Sequence, residues 1–152
     1  MIKFFISLNR QSKVRLVRWF IPVTSKEKSS IIQDLSHMVV NRSLKQCNFL
    51  EWREYKVVFK RFASLYFIAC VDKDANELLV LEMIQRYVEI LDSYFCNVCE
   101  LDLVFNFTKA YHLLDEILID GDIYDTNKKG ILRNMSAQDA MSEKTKTFSS
   151  KS

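Results

Sequence analysis

The chain has 152 residues, 49% hydrophobic and 27% charged, a size and composition for one domain with a real core rather than an intrinsically disordered polypeptide. Two glycines and one proline exclude collagen, Gly-rich linkers and glycine-dependent phosphate loops, and the longest uncharged apolar run, about nine residues (Ala63–Val71), is far short of the ~20 a membrane-spanning helix needs. The net charge of +3 hides a dipole: residues 1–62 carry +9, residues 63–126 carry −10 and residues 127–152 carry +4, which argues against a nucleic-acid binder and for an anionic ligand, an acidic peptide or another subunit.

In chain order, Ile2, Phe4, Ile6 and Leu8 alternate with Lys3, Phe5 and Ser7, the pattern of a half-buried strand. A polar connection, Asn9–Lys13, leads into a second strand, Val14–Ile21, and the two form an antiparallel hairpin that Pro22 stops. Thr24 and Glu27 have capping-box spacing. The helix behind them carries Ile31, Ile32, Leu35, Met38 and Val39 on one side and ends near Arg42.

A short strand at Phe49–Arg53 precedes strands over Lys56–Phe62 and Ala63–Val71, the last apolar on both faces and therefore central. Asp74–Glu77 caps a helix with two apolar stripes, one of Leu81, Ile84, Val88, Leu91 and Phe95, the other of Met83, Tyr87, Ile90 and Tyr94. So wide an apolar face predicts contact with more than its own sheet. Asn97–Glu100 matches a further capping box, followed by a helix marked by Leu103, Phe107, Ala110, Leu114 and Ile117. Gly121 punctuates, Thr126 caps a short last helix, and residues 142–152 form a polar tail expected to be disordered, leaving 1–141 as the domain. The order β-β-α-β-β-β-α-α predicts an α+β fold: a five-stranded antiparallel sheet with helices on both faces.

Little here reads as chemistry. Four cysteines suit a reducing compartment, and Met1–Leu8, followed at once by Arg10, Lys13 and Arg15, is no signal peptide, so the expected setting is soluble and intracellular. Cys70 reads as a buried free thiol. Cys96-Asn-Val-Cys99 has half-site spacing, but His37 and His112 lie elsewhere, on helical stretches where they read as structural, so neither a metal nor a cofactor is expected. Glu100 and Asp102, like Asp115 and Glu116, point apart on a helix and make no shared acid/base site. The expectation is a protein that is not an enzyme.

Three stretches resemble a known family. Phe49-Leu50-Glu51-Trp52-Arg53 and the run Lys56-Val57-Val58-Phe59-Lys60-Arg61-Phe62-Ala63-Ser64-Leu65-Tyr66-Phe67 resemble the central strands of clathrin-adaptor small (sigma) chains. Asn97-Val98-Cys99-Glu100-Leu101-Asp102-Leu103-Val104-Phe105-Asn106-Phe107 is similar to the signature of the same family. With Glu82–Tyr94 and the opening strands, the resemblance covers about residues 1–133. Leu50–Arg53, Ala63–Leu65 and the extension past residue 140 look closer to the sigma chain of adaptor protein complex one, of the trans-Golgi network and endosomes, than to the plasma-membrane branch, which carries Gly where Ser64 stands. The tail departs from the acidic tails of that branch.

The resemblance implies a longin-like (SNARE-like) fold and a non-catalytic subunit of a heterotetrameric clathrin adaptor. A gamma-type large chain would be the direct partner, with a beta-type large chain and a medium (mu) chain in the same complex. Clathrin, an Arf-family GTPase and the membrane surface would be reached through the complex, on the cytosolic face of the trans-Golgi network, endosomes and coated vesicles. It further implies binding of acidic dileucine signals, [Asp/Glu]-x-x-x-Leu-[Leu/Ile], on cytosolic tails of cargo. Ala63, Leu65, Val88, Val98 and Leu103 match the family positions lining the leucine pockets, Asn97 their rim, and Arg15 the basic residue near the acidic position, with Lys13 adding long-range attraction. Alternatives are an endocytic plasma-membrane sigma chain, a purely structural small chain, and a longin-type regulatory domain, although residues 134–152 carry no SNARE heptad run.

Overall fold

Strands β1 (Ile2–Asn9) and β2 (Val14–Trp19) form the expected antiparallel hairpin in the computed structural model, which describes residues 2–41, 48–119 and 122–123. β2 ends two residues earlier than the apolar pattern predicts. Phe20 N–H still bonds the Lys3 carbonyl at 2.9 Å, but Ile21 precedes Pro22, whose ring restricts the backbone before it. Helix α1 (Ser25–Leu35) starts at the Thr24–Glu27 capping box, with both reciprocal bonds made, and runs on through one π-helical turn, Ser36–Val40.

Strands β3 (Phe49–Trp52), β4 (Tyr55–Phe62) and β5 (Leu65–Asp72) form a meander, and β5 returns to pair with β1. The resulting order is β2-β1-β5-β4-β3, every pairing antiparallel. β5 is central and buried along nearly its whole length, as its sequence requires. It begins at Leu65, not Ala63: Ala63 and Ser64 are the two-residue loop after β4, and Ala63 takes φ 55°. Two-residue hairpins favour positive φ in the loop.

β1 is not half-buried. Seven of its eight residues are buried, because it lies between β2 and β5 and both faces of the sheet are covered. Phe4, Ile6 and Leu8 join α1 residues Ile31 and Leu35 in one core, while Ile2 and Phe5 join the other. Ile2 and Phe4 fall in different cores despite their spacing of two, because the β1–β5 register shifts between them.

The larger core is built by α2 (Glu77–Phe95), capped by Asn76, with α3 (Glu100–Phe105) and α4 (Phe107–Ile117). The expected helix after residue 97 is thus two helices, broken at Asn106 (φ −122°, ψ 39°). Its capping box is Cys99 with Asp102, not Asn97 with Glu100. α2 holds its neighbours through both apolar stripes: Met83, Tyr87 and Ile90 of the second are as buried as Ile84, Val88 and Leu91 of the first. The contact beyond its own sheet that so wide a face predicts is made within the chain, by α4. The large apolar side chains left exposed lie elsewhere, chiefly Leu101, Val104, Phe105 and Phe107, with Leu78 and Leu79 at the start of α2.

β6 (Leu118–Ile119) and β7 (Asp122–Ile123) make a small separate hairpin that the sequence pattern did not predict beyond a break at Gly121. His37 and His112 are exposed on helices rather than buried as structural histidines. Arg42, Cys47, the cap at Thr126 with its short helix, the domain end at 141 and the tail 142–152 lie outside the described residues. Among the described residues no helix is long and apolar enough to cross a membrane.

Candidate functional site

Asn9 closes β1 and organises the first hairpin. Its side-chain oxygen accepts the N–H groups of Gln11 and Lys13 at 2.9 Å each, an Asx-type turn in a residue only 3% exposed. The loop needs Ser12 at φ 64° to close, and Ser12 N–H bonds the Asn9 carbonyl. Three residues after Ser12, Arg15 lies on the edge strand β2, its side chain 25% exposed.

The other wall comes from the turn between α2 and α3. α2 ends with Cys96 and Asn97 both left-handed, at φ 53° and 77°. Asp92 holds that turn: its carbonyl accepts Asn97 N–H and its carboxylate accepts Val98 N–H, each at 3.0 Å. Val98 is thereby turned inward and Asn97 left exposed. α3 then starts with Glu100, which reaches across to the first hairpin. Its Oε1 accepts Arg15 Nε at 2.6 Å and Asn9 Nδ2 at 2.7 Å. These bonds, that of Asn9 foremost, hold the Glu100 carboxyl below its ordinary range against a smaller opposing effect of burial.

Between β2 and the α3–α4 corner is an open cleft of about 280 Å³, lined by Val14, Arg15, Leu103, Val104, Phe107 and Tyr111. Tyr111 shapes its floor by capping the free edge of β2: its hydroxyl accepts Val17 N–H at 2.9 Å and donates to the Val17 carbonyl at 3.0 Å. Arg18 pairs beside it with Asp115 at 2.7 Å. The cleft is thus apolar, with one guanidinium in its wall.

The fold brings together most of the residues singled out from the sequence. Leu65, Val88, Val98 and Leu103 belong to one apolar core, and Arg15 meets Leu103 in the cleft. Leu65, Val88 and Leu103 are no more than 1% exposed and Val98 is 5% exposed, so they are packed core side chains rather than the lining of an open pocket, and of the four Leu103 borders the cleft. Ala63 does not share a strand face with Leu65; it is an exposed loop residue beside Phe62, which packs on that core. Lys13 is exposed on the hairpin. The sequence reading missed Asn9 and Glu100, and missed Val104, Phe107 and Tyr111 as cleft residues. The polar Asn closing a strand ahead of a polar loop was a legible signal for the first. Nothing local marks Glu100 as a partner of Arg15, 85 positions away. Among the described residues, no group of three or more His, Cys, Asp or Glu side chains could hold a metal ion.

Residues 1–142 match the family of the clathrin adaptor complex small chain. The chain is 56% identical over 140 residues to AP-1 complex subunit sigma-2 of Dictyostelium discoideum, covering 92% of this chain and 91% of that one. It is 48% identical over 143 residues to AP-1 complex subunit sigma-1A of Homo sapiens, covering 94% and 90% respectively. In structure it is similar, at a TM-score of 0.75 and 27% identity over 97% of this chain and 98% of the other, to a chain of a homology model of the full-length AP-3 complex in a stretched open conformation.

Proposed function

The chain belongs to the clathrin adaptor complex small-chain family, as a longin-like small subunit related to AP-1 sigma chains, and from that premise we propose that it reads acidic dileucine sorting signals on the cytosolic tails of membrane cargo. The observation that carries the reading is the cleft in which Arg15 and Leu103 meet, with Leu65, Val88 and Val98 in the same apolar core as Leu103. A signal of the form [Asp/Glu]-x-x-x-Leu-[Leu/Ile] needs that combination: a guanidinium for the carboxylate and apolar wall for the leucines. Two buried leucines supply roughly 1.5–3 kcal/mol each before ordering costs.

The subunit works within a heterotetramer, bound directly to a gamma-type large chain and assembled with a beta-type large chain and a mu chain. Exposed Leu101 and Phe105, with Leu78 and Leu79 at the start of α2, lie outside the cleft and offer apolar area for such a partner. The AP-1 names of the relatives support transport between the trans-Golgi network and endosomes rather than the plasma-membrane route. Clathrin, an Arf-family GTPase and the membrane are reached through the other chains. No catalysis is assigned to it.

The test is a titration of the small chain, co-expressed with the trunk of a gamma-type large chain, with an acidic dileucine peptide and its double-alanine control. Binding that requires both leucines supports the reading; a stable heterodimer that binds neither peptide overturns it. Ala63→Asp is the cleaner charge probe, because Asp accepts a left-handed backbone and leaves the core untouched. Val88→Asp, expected to abolish binding, also places an unpaired carboxylate in a site 1% exposed. That same burial favours a second reading, a purely structural small chain whose apolar wall is only core.

A further inference from the structure

We propose that Glu100 is a positioning residue for Arg15, holding the guanidinium by Nε so that its two terminal nitrogens face a peptide carboxylate; the inference rests on the reading of Arg15 given above. Glu100 Oε1 takes Arg15 Nε at 2.6 Å and Asn9 Nδ2 at 2.7 Å. Asn9 is 3% exposed, and its oxygen is fixed by two loop N–H groups, so its amide cannot swing away without opening the hairpin. Glu100 is anchored in turn at the start of α3, where Cys99 N–H bonds Asp102 Oδ2 at 2.9 Å. The guanidinium therefore hangs on a chain of groups that are themselves fixed.

The geometry of that grip distinguishes orientation from competition. Carboxylates pair with a guanidinium in bidentate fashion along either of two edges, Nη1 with Nη2 or Nε with one Nη, and a carboxylate that fills the place of a ligand takes two nitrogens of one edge. Glu100 instead takes Nε through one oxygen, and among the described residues Nη1 and Nη2 make no hydrogen bond. Arginine is a long side chain with many rotamers, and fixing one before the ligand arrives removes part of the ordering cost of binding. Glu100 also cancels most of Arg15's long-range field, so the preference for an acidic residue comes from directed hydrogen bonds at close range. Exposed Arg10 and Lys13 supply the longer-range attraction.

The experiment uses the small chain bound to a gamma-type trunk and two peptides, Glu-x-x-x-Leu-Leu and Gln-x-x-x-Leu-Leu. The wild-type protein is expected to prefer the first by about fivefold. Glu100→Ala reduces that preference below about twofold, the loss falling mainly on the Glu peptide, with Glu100→Gln between the two because it keeps an acceptor. In an Arg15→Ser background Glu100→Ala has no further effect on the preference. A larger preference in Glu100→Ala means that Glu100 competes with the ligand, and it overturns the proposal. So does an unchanged preference, or an equal loss for both peptides. A readout without peptide stands apart: the Arg15 Nε–H proton exchanges slowly in the wild-type protein and several-fold faster in Glu100→Ala, and equal exchange in both would sink the proposed grip. Absence of leucine-dependent binding in the wild-type complex overturns the dileucine reading itself, whatever the exchange rates are.

Discussion

The Tyr87 hydroxyl donates to the Ala110 carbonyl oxygen at 2.8 Å, joining the middle of α2 to α4. Tyr87 is fully buried, and its ring packs edge-on against Phe5 and Phe67 of the sheet. One side chain thus ties together the sheet, α2 and α4. Burial also pushes its phenol well above its ordinary pKa, so it stays a donor. Tyr87→Phe keeps the packing and removes the bond, with an expected loss of about 1–2 kcal/mol, read from the urea midpoint at constant m-value.

Arg15→Ser is expected to weaken binding of an acidic dileucine peptide without touching the fold, since Arg15 lies on an edge strand and is partly exposed. The loss should be modest, about 1 kcal/mol, and the remaining binding should depend less on salt. Titration at two ionic strengths decides: an unchanged salt dependence removes Arg15 from the acidic contact.

Ser7 is buried in β1, and its hydroxyl has no hydrogen-bond partner among the described residues. Ser7→Ala removes an unsatisfied polar group from the core. It should raise stability by about 1 kcal/mol, seen as a higher melting temperature.

Acid should weaken the Asn9–Glu100–Arg15 linkage in a definite direction. The Glu100 carboxyl is held below its ordinary value of 4.5, mainly by the Asn9 side chain and then by Arg15. A carboxyl lowered in the folded state contributes stability that is complete above its unfolded pKa and is lost as pH falls through the folded one. The stability difference between wild type and Glu100→Gln should therefore be constant above about pH 5 and shrink below 4.5. Glu77, lowered mainly by its bond with Lys56, titrates in the same sense. A difference that grows on acidification contradicts the assignment.

Thiol reactivity should separate the cysteines by burial. Cys70 is fully buried in β5, and desolvation pushes its thiol up to about 12. Cys96 and Cys99 are exposed in the turn between α2 and α3. Maleimide at neutral pH should label Cys96 and Cys99 in the native protein within minutes, and Cys70 only on unfolding, as followed by peptide mass mapping.

Much of the fold was legible because the signals are local. The Thr24–Glu27 box is a matter of three residues' spacing, and the chain makes both of its bonds. The apolar run behind β5 could only be a strand covered on both sides. Ala63 was misplaced because an Ala before Ser reads as strand by hydrophobicity, whereas the turn required a residue at positive φ. The alternation of β1 suggests a half-buried strand because Lys3 and Ser7 are polar; its place beside β5 buries Ser7 all the same. The helix after residue 97 looked continuous because Asn106 is a weak breaker on paper.

For the candidate site, the residue types were readable and their meeting was not. Leu65, Val88, Val98 and Leu103 could be named as apolar positions on a strand, a helix, a turn and a helix. Their convergence depends on how α2 and α3 cross the sheet.

By itself the sequence determined the alternation, caps and breaks that make the five strands of the main sheet and helices α1 and α2, and it carried the family resemblance in its strands and its Asn97–Phe107 run. Only the tertiary structure decided which apolar faces were left over and what Arg15 holds. Both depend on contacts between residues far apart in the chain: α4 covers the second stripe of α2, and Glu100 reaches Arg15 across 85 positions. Local periodicity records which side of an element is apolar, but not which neighbour will cover it.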